Sequence, residues 1–330
     1  HGNSPRREAP EHEFVAPLML GDWNLTPSLA GRATHYDDSF DQYSPADDDH
    51  TRLWGSTGAQ LSTTLQHIDN SVDSRALDLH RIRHLISPNL GVWTSGTNVD
   101  NVDLPVYDDT IEGLSEGTIA SIGLDQVWQT QRGGPARWHS VDVFKLRTDL
   151  TITSDDANIE SPISRTLFYR PELSNVGDSF TAEGEWLITD SFSLVASEIY
   201  SLDTNQPART SGGFTIQHWP GFGSYMEYRG INALDSKFLD FGTQYELTSK
   251  YALGADAVLD LTNGGLQTIS FEIRRRFPSA IFGVGVSFND TTDETSFGFI
   301  FQPVGVRGPG ARLSGLGASD PRARTNRMGG

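Results

Sequence analysis

The 330-residue chain contains no cysteine. That single absence removes disulfide staples, cysteine-ligated zinc and thiol catalysis together. Long hydrophobic runs are missing too: no stretch approaches the roughly 18 to 20 consecutive apolar residues that a membrane helix needs, so a helical membrane protein is excluded. A strand barrel survives this test, because its lipid-facing residues alternate with polar ones and mean hydropathy stays low. Basic residues are scarce beside acidic ones, 25 against 43, for a net charge of −18. This balance argues against a nucleic-acid partner, since phosphate binding needs clustered Lys and Arg. Acid runs such as Asp47, Asp48 and Asp49 read as solvated loop tips, with divalent-cation binding near anionic headgroups as the alternative. The sequence opens on His1 with no Met, no basic stretch and no apolar signal core. A mature chain or a fragment is therefore expected.

What is present is alternation with a period of two, which only strands use. In 237–247 the odd positions are Lys237, Leu239, Phe241, Thr243, Tyr245 and Leu247, against Asp240, Gly242, Gln244 and Glu246. In 251–261 Tyr251, Leu253, Ala255, Ala257, Leu259 and Leu261 oppose Gly254, Asp256 and Asp260. Asn263-Gly264 signals a tight turn into 266–277, where Ile269, Phe271, Ile273 and Phe277 alternate with Thr268, Ser270, Glu272, Arg274 and Arg276. Beyond Pro278-Ser279, Phe282, Val284, Val286 and Phe288 oppose Gly283, Gly285, Ser287 and Asn289. Phe297, Phe299 and Phe301 then alternate with Ser296, Gly298, Ile300 and Gln302. Each run is about ten residues, the length of a tilted membrane strand.

A looser version fills 22–36, 52–68, 80–95, 117–132, 138–153, 178–188, 191–202, 208–218 and 222–232. The prediction is an all-β, antiparallel up-and-down transmembrane β-barrel region of about fourteen strands, part of a larger barrel. It spans 21–304, between an N-terminal extension or connecting segment at 1–20 and a disordered Gly/Arg-rich tail at 305–330. Long polar connectors at 37–51, 97–116 and 154–165 mix with short turns, as when one rim bears loops and the other tight turns. A soluble sandwich also alternates, but its outer face carries many charges. Here the polar face is rich in Gly, Ser, Thr and Gln with interspersed charges, which suits a wet lumen as well as bulk solvent. Trp93, Trp128, Trp138, Trp219 and Tyr251 lie near strand ends, where either a membrane interface or core packing accounts for them.

Several segments carry a resemblance. Ser296-Phe297-Gly298-Phe299-Ile300-Phe301 resembles the terminal-strand signal by which outer-membrane barrels are recognised by their insertion machinery. Leu79-His80-Arg81-Ile82-Arg83-His84-Leu85-Ile86-Ser87-Pro88, Leu104-Pro105-Val106-Tyr107-Asp108-Asp109, and Ile122-Gly123-Leu124 with Gln129-Thr130-Gln131-Arg132 follow one another in the order found in the LPS-assembly family, also called LptD or organic-solvent-tolerance proteins. Together they resemble its C-terminal barrel region. The resemblance implies translocation of lipopolysaccharide to the outer leaflet through a barrel lumen and a lateral gate. It implies as partners an LptE-like lipoprotein plug and a periplasmic transport bridge reached through a jelly-roll domain outside this sequence. One wall of the gate would be Thr295, Ser296, Phe297, Gly298, Phe299, Ile300, Phe301, Gln302 and Pro303. The family's cysteines are absent, so disulfide-controlled maturation is not implied. A passive outer-membrane porin is the alternative function.

Enzymatic chemistry finds little footing. His80 and His84 lie about 13 Å apart on a strand, too far for one metal. No Gly-x-Ser-x-Gly elbow exists, and no cofactor is expected. Alternation sends Arg274 and Arg276 to the polar face with Glu272, Asp256 and Asp260, as lumen or rim charges. Arg275 goes to the interface side near a turn, where its stem can snorkel or its head can meet a lipid phosphate or an acidic partner.

Overall fold

A computed structural model describes residues 7–8, 11–36, 51–99, 103–104, 116–134, 137–154, 177–232 and 235–303. Among these residues the architecture is all-β, an antiparallel up-and-down arrangement with no helix. The chain divides into two compact units, one of His1–Gly184 with Ser197–Ala208 and one of Glu185–Ala196 with Arg209–Gly330.

In the first unit the strands are β1 (Arg7–Glu8), β2 (Glu11–Val15), β3 (Leu18–Leu20), β4 (Trp23–Tyr36), β5 (Thr51–Ser62), β6 (Leu65–Ser74), β7 (Leu79–Thr97), β8 (Gly117–Arg132) and β9 (His139–Thr153). Strand β7 is long enough to pair with two predecessors: Asn89–Thr97 faces β5 and Leu79–Ile86 faces β6. The 52–68 prediction is therefore one strand interrupted at Thr63-Thr64. There the Thr63 amide bonds Pro88 O and the Thr63 hydroxyl donates to Asp22 O at 2.6 Å. Within 1–20, expected as an extension or connecting segment, β2 and β3 pair with β4, Phe14 opposite Leu29 and Leu18 opposite Leu25. The alternation of strand direction puts the strand ends that flank 37–50, 98–116 and 154–178 on one side, and those that flank 21–22, 75–78 and 133–138 on the other.

Strands β10 (Ser179–Thr189) and β11 (Phe192–Ser201) contribute residues to both units, as does the strand that follows them, whose Gln206–Ala208 belong to the first unit. The second unit continues with β12 (Gln206–Trp219), β13 (Phe222–Ile231), β14 (Ser236–Glu246), β15 (Tyr251–Asp260), β16 (Gly265–Arg276), β17 (Ala280–Asn289) and β18 (Glu294–Pro303). Every neighbouring pair from β12 to β18 is antiparallel and joined by a short connection. The Asn263-Gly264 turn forms as its composition requires: Gly264 takes a φ of 72°, open to a residue without Cβ. Thirteen of the fourteen predicted runs form as single strands and 52–68 forms as two; with β1, β2 and β3 the described residues hold eighteen strands rather than about fourteen. The proposed tail and most of the long connectors lie outside the described residues.

Candidate functional site

Register fixes which side chains share a face, because directly opposed residues in a ladder point to the same side. In the second unit one row runs Phe222, Tyr245, Leu253, Ile273, Val284, Phe299 across six strands. The next runs Ser224, Thr243, Ala255, Phe271, Val286, Phe297. The other face carries Tyr225, Gly242, Asp256, Ser270, Ser287 and Ser296 in a row, beside Glu227, Asp240, Val258 and Thr268. The first unit repeats this division. Leu61, Leu90, Ile122 and Leu150 align on one face, and Ser62, Asn89, Gly123 and Asp149 on the other.

The apolar face is the exposed one. Among the described residues 34 large apolar side chains are exposed, against nine buried hydrophobic residues. Phe297, Phe299 and Phe301 are 71% to 75% exposed, Phe271 53% and Ile122 54%. Eleven polar or charged residues are buried beside those nine, among them Thr34, Arg52, Ser56, Thr130, Arg132, Thr151 and Glu272. Burying one such apolar side chain stabilises by about 1.5 to 3 kcal/mol, so in water this arrangement forgoes tens of kcal/mol.

The polar face of the second unit holds the charges that sequence singled out. Glu272 is buried and paired with Arg274 on its own strand, Oε2 accepting from Nη2 at 2.9 Å. One row on, Ser270 Oγ donates to Asp256 Oδ2 at 2.5 Å, while buried Asp256 Oδ1 has no partner among the described residues. Asp260 sits apart at the rim, accepting from the Thr262 amide at 2.8 Å and the Asn263 amide at 3.0 Å. Arg276 ends β16, exposed. Sequence reasoning missed the neighbouring strands' share: Tyr225 donates to Asp240 at 3.2 Å, and Arg229 pairs with Glu227 at 3.2 Å. Their signal was the same alternation in 222–232, Tyr225, Glu227 and Arg229 against Met226 and Tyr228. The polar face thus carries an acid-rich strip, and Gly242 lies under the Tyr225 ring.

In the first unit Trp93 lies on the polar face over Gly58, 6.0 Å from Trp54 between ring centroids, and is buried. Core packing rather than an interface accounts for it. Trp138 and Trp219 are exposed beside short connections, while Trp128 stacks on His84 at 4.2 Å. His80 faces Asp73 and Asp78 instead, at 3.2 and 3.3 Å, so the two histidines have separate surroundings. The segments 79–88 and 122–132 lie on paired strands, Arg83 opposite Gln129 and His84 opposite Trp128. Leu104 packs with Tyr36 and Val99, and Pro105–Asp109 lies outside the described residues. Thr295–Pro303 forms nearly all of β18, with its three phenylalanines on the apolar face.

No protein-family model matches the chain, and no curated relative does. Among solved structures, a mutant Rh. blastica porin is similar at 10% identity and a TM-score of 0.39, over 91% of this chain and 100% of that one. The KdgM porin is similar at 10% identity and a TM-score of 0.23, over 73% of this chain and 95% of that one. The FpvAI–pyocin S2 complex is similar at 10% identity and a TM-score of 0.30, over 90% of this chain and 48% of that one. At these TM-scores the likenesses carry no argument.

Proposed function

We propose that this chain is the membrane-embedded region of an outer-membrane β-barrel, with its apolar face in lipid and its polar face lining an aqueous passage. The observation that carries the reading is the inverted distribution of side chains, exposed Phe, Leu, Ile and Val on one face and Ser, Thr, Gly and paired charges on the other. Water penalises that distribution and a bilayer rewards it. The first unit's loop lengths agree, the long connections flanked by strand ends on one side and the short ones by those on the other. Exposed Trp219 and half-buried Phe222, with centroids 4.5 Å apart, and Tyr245 beyond them supply aromatics at a short-turn end, where interfacial rings collect.

The activity this geometry supports best is passive conduction of small polar solutes. Purified chain reconstituted in a planar bilayer is expected to give discrete conductance steps with no added partner. Heat-modifiable migration on gels after detergent extraction checks the barrel itself. A chain that stays monomeric in plain buffer and gives no conductance would sink the reading.

Lipopolysaccharide assembly is the second reading, and it rests on the sequence resemblance carried by segments 79–88 and 122–132, which lie on adjacent strands. Under it β18 is one wall of a lateral gate, weakened at Pro303, which has no N–H to donate. An LptE-like lipoprotein would fill the lumen, and a periplasmic bridge would deliver the lipid. A disulfide tying β18 to the first barrel strand of the full-length protein would then block export until reduced. Undiminished export would count against the gate.

A further inference from the structure

The sharpest local feature of the apolar face is a cation in the wrong place. Arg275 belongs to that face by register, directly opposite Tyr251 on one side and Phe282 on the other. Its guanidinium carbon lies 4.7 Å from the centroid of Phe277 and 5.4 Å from that of Tyr251. Among the described residues it makes no ion pair, whereas Arg274, on the opposite face, is matched by Glu272. Stacking on rings holds a guanidinium by its faces and leaves its edge donors free, the arrangement suited to a bidentate anion.

One row further along the strands, about 7 Å away, a trough opens on the same face. Its volume is about 570 Å³, and Tyr245, Leu253, Ala255, Phe271, Ile273 and Phe297 contribute to it. The small side chain of Ala255 between bulkier neighbours makes the depression. That size falls within the range of small-molecule pockets, and the lining offers an occupant almost nothing but apolar surface.

We propose that Arg275 and this trough form one binding site for an anionic phospholipid, with the phosphate on the guanidinium and an acyl chain in the trough. The two halves complement the two halves of such a lipid: a charge beside an interfacial aromatic cluster, and an apolar channel leading from it toward mid-strand. A zwitterionic lipid fits the trough equally well and gains less at Arg275, because its own ammonium competes for the phosphate. This site rests on the membrane reading above and goes beyond it by naming a ligand and the residues that select it.

The test uses the full chain in non-ionic detergent, titrated with phosphatidylglycerol or phosphatidylcholine, with bound lipid counted by native mass spectrometry. Phosphatidylglycerol should bind about tenfold more tightly than phosphatidylcholine. Arg275→Gln should remove that preference, Ala255→Phe should weaken both lipids, and Arg276→Gln, on the other face, should change neither. Equal binding of the two lipids by the unaltered chain overturns the site, and this comparison needs no variant to fold. Unchanged preference in a heat-modifiable Arg275→Gln protein overturns it as well. Heat-modifiable migration is scored on the same samples, so a folded barrel indifferent to lipid charge refutes the site alone. A chain soluble without detergent refutes the membrane reading instead.

Discussion

At the scale of single residues, the polar face is where small changes should be felt most. Glu272 is 8% exposed and its carboxylate is engaged by Arg274. Glu272→Ala would leave a half-buried guanidinium without its counter-charge, which costs about 1 to 3 kcal/mol. Urea unfolding in detergent should show the loss, and the double variant Glu272→Leu with Arg274→Met should recover most of it. Gly213 behaves differently, because a Cβ there would run into the backbone of Met226 and Glu227 rather than a movable side chain. Gly213→Ala should destabilise the β12–β13 pair by about 1 to 3 kcal/mol, visible as a lowered unfolding midpoint and faster amide exchange at Tyr225 and Glu227. Neither effect is readable from alternation alone. A glycine in a strand pattern announces only that something comes close.

At the scale of the element, β18 offers the cleanest separation between a membrane strand and a soluble one. Phe299 is 75% exposed at mid-strand, opposite Val284. If the face meets lipid, Phe299→Arg should reduce folding stability in bilayers by about 2 to 4 kcal/mol, as measured by reversible urea titration. On a water-exposed surface the same change would stay within about 0.5 kcal/mol. Gly298→Arg supplies the internal comparison, since a Cβ there meets nothing within 4 Å and the side chain enters the polar side. It should be nearly neutral.

The second unit was the most legible element series, because apolar residues, chiefly Phe, Ile, Val, Leu and Ala, take most of the alternate positions within each run from Leu239 to Phe301. The boundaries of β14 to β18 differ from the predicted runs by at most a residue or so, as Asn263-Gly264 and Pro278-Ser279 punctuate them. The first unit was less legible. No compositional break announces the interruption at Thr63-Thr64, which depends on β7 outlasting β5 and recruiting β6. Strands β2 and β3 were invisible for a similar reason: their short runs acquire meaning only through pairing with β4.

At the scale of the whole molecule, an excess of acid is expected to appear as ion selectivity. Asp240, Asp256 and Glu227 share one strip of the polar face, with Arg229 and Arg274 as the counter-charges beside them. A passage lined this way should favour cations, because fixed negative charge concentrates counter-ions. Reversal potentials in asymmetric potassium chloride should therefore be cation-selective, and the double variant Asp240→Asn with Asp256→Asn should shift them toward zero. High salt should shrink the difference as the Debye length falls to about 3 Å at 1 M.

Sequence by itself determined the strand period, the polar and apolar composition of each face and the exclusion of membrane helices, because all three are properties of neighbours along the chain. It placed Arg274, Glu272 and Asp256 on one face and Arg275 on the other for the same reason. Only the tertiary structure decided which face lies open, that Trp93 packs inward against Trp54, and that Tyr225 and Asp240 join the charges of β15 and β16. Those outcomes depend on register between strands and on the direction in which the sheet buries its side chains. A period of two is the same whichever face meets the solvent.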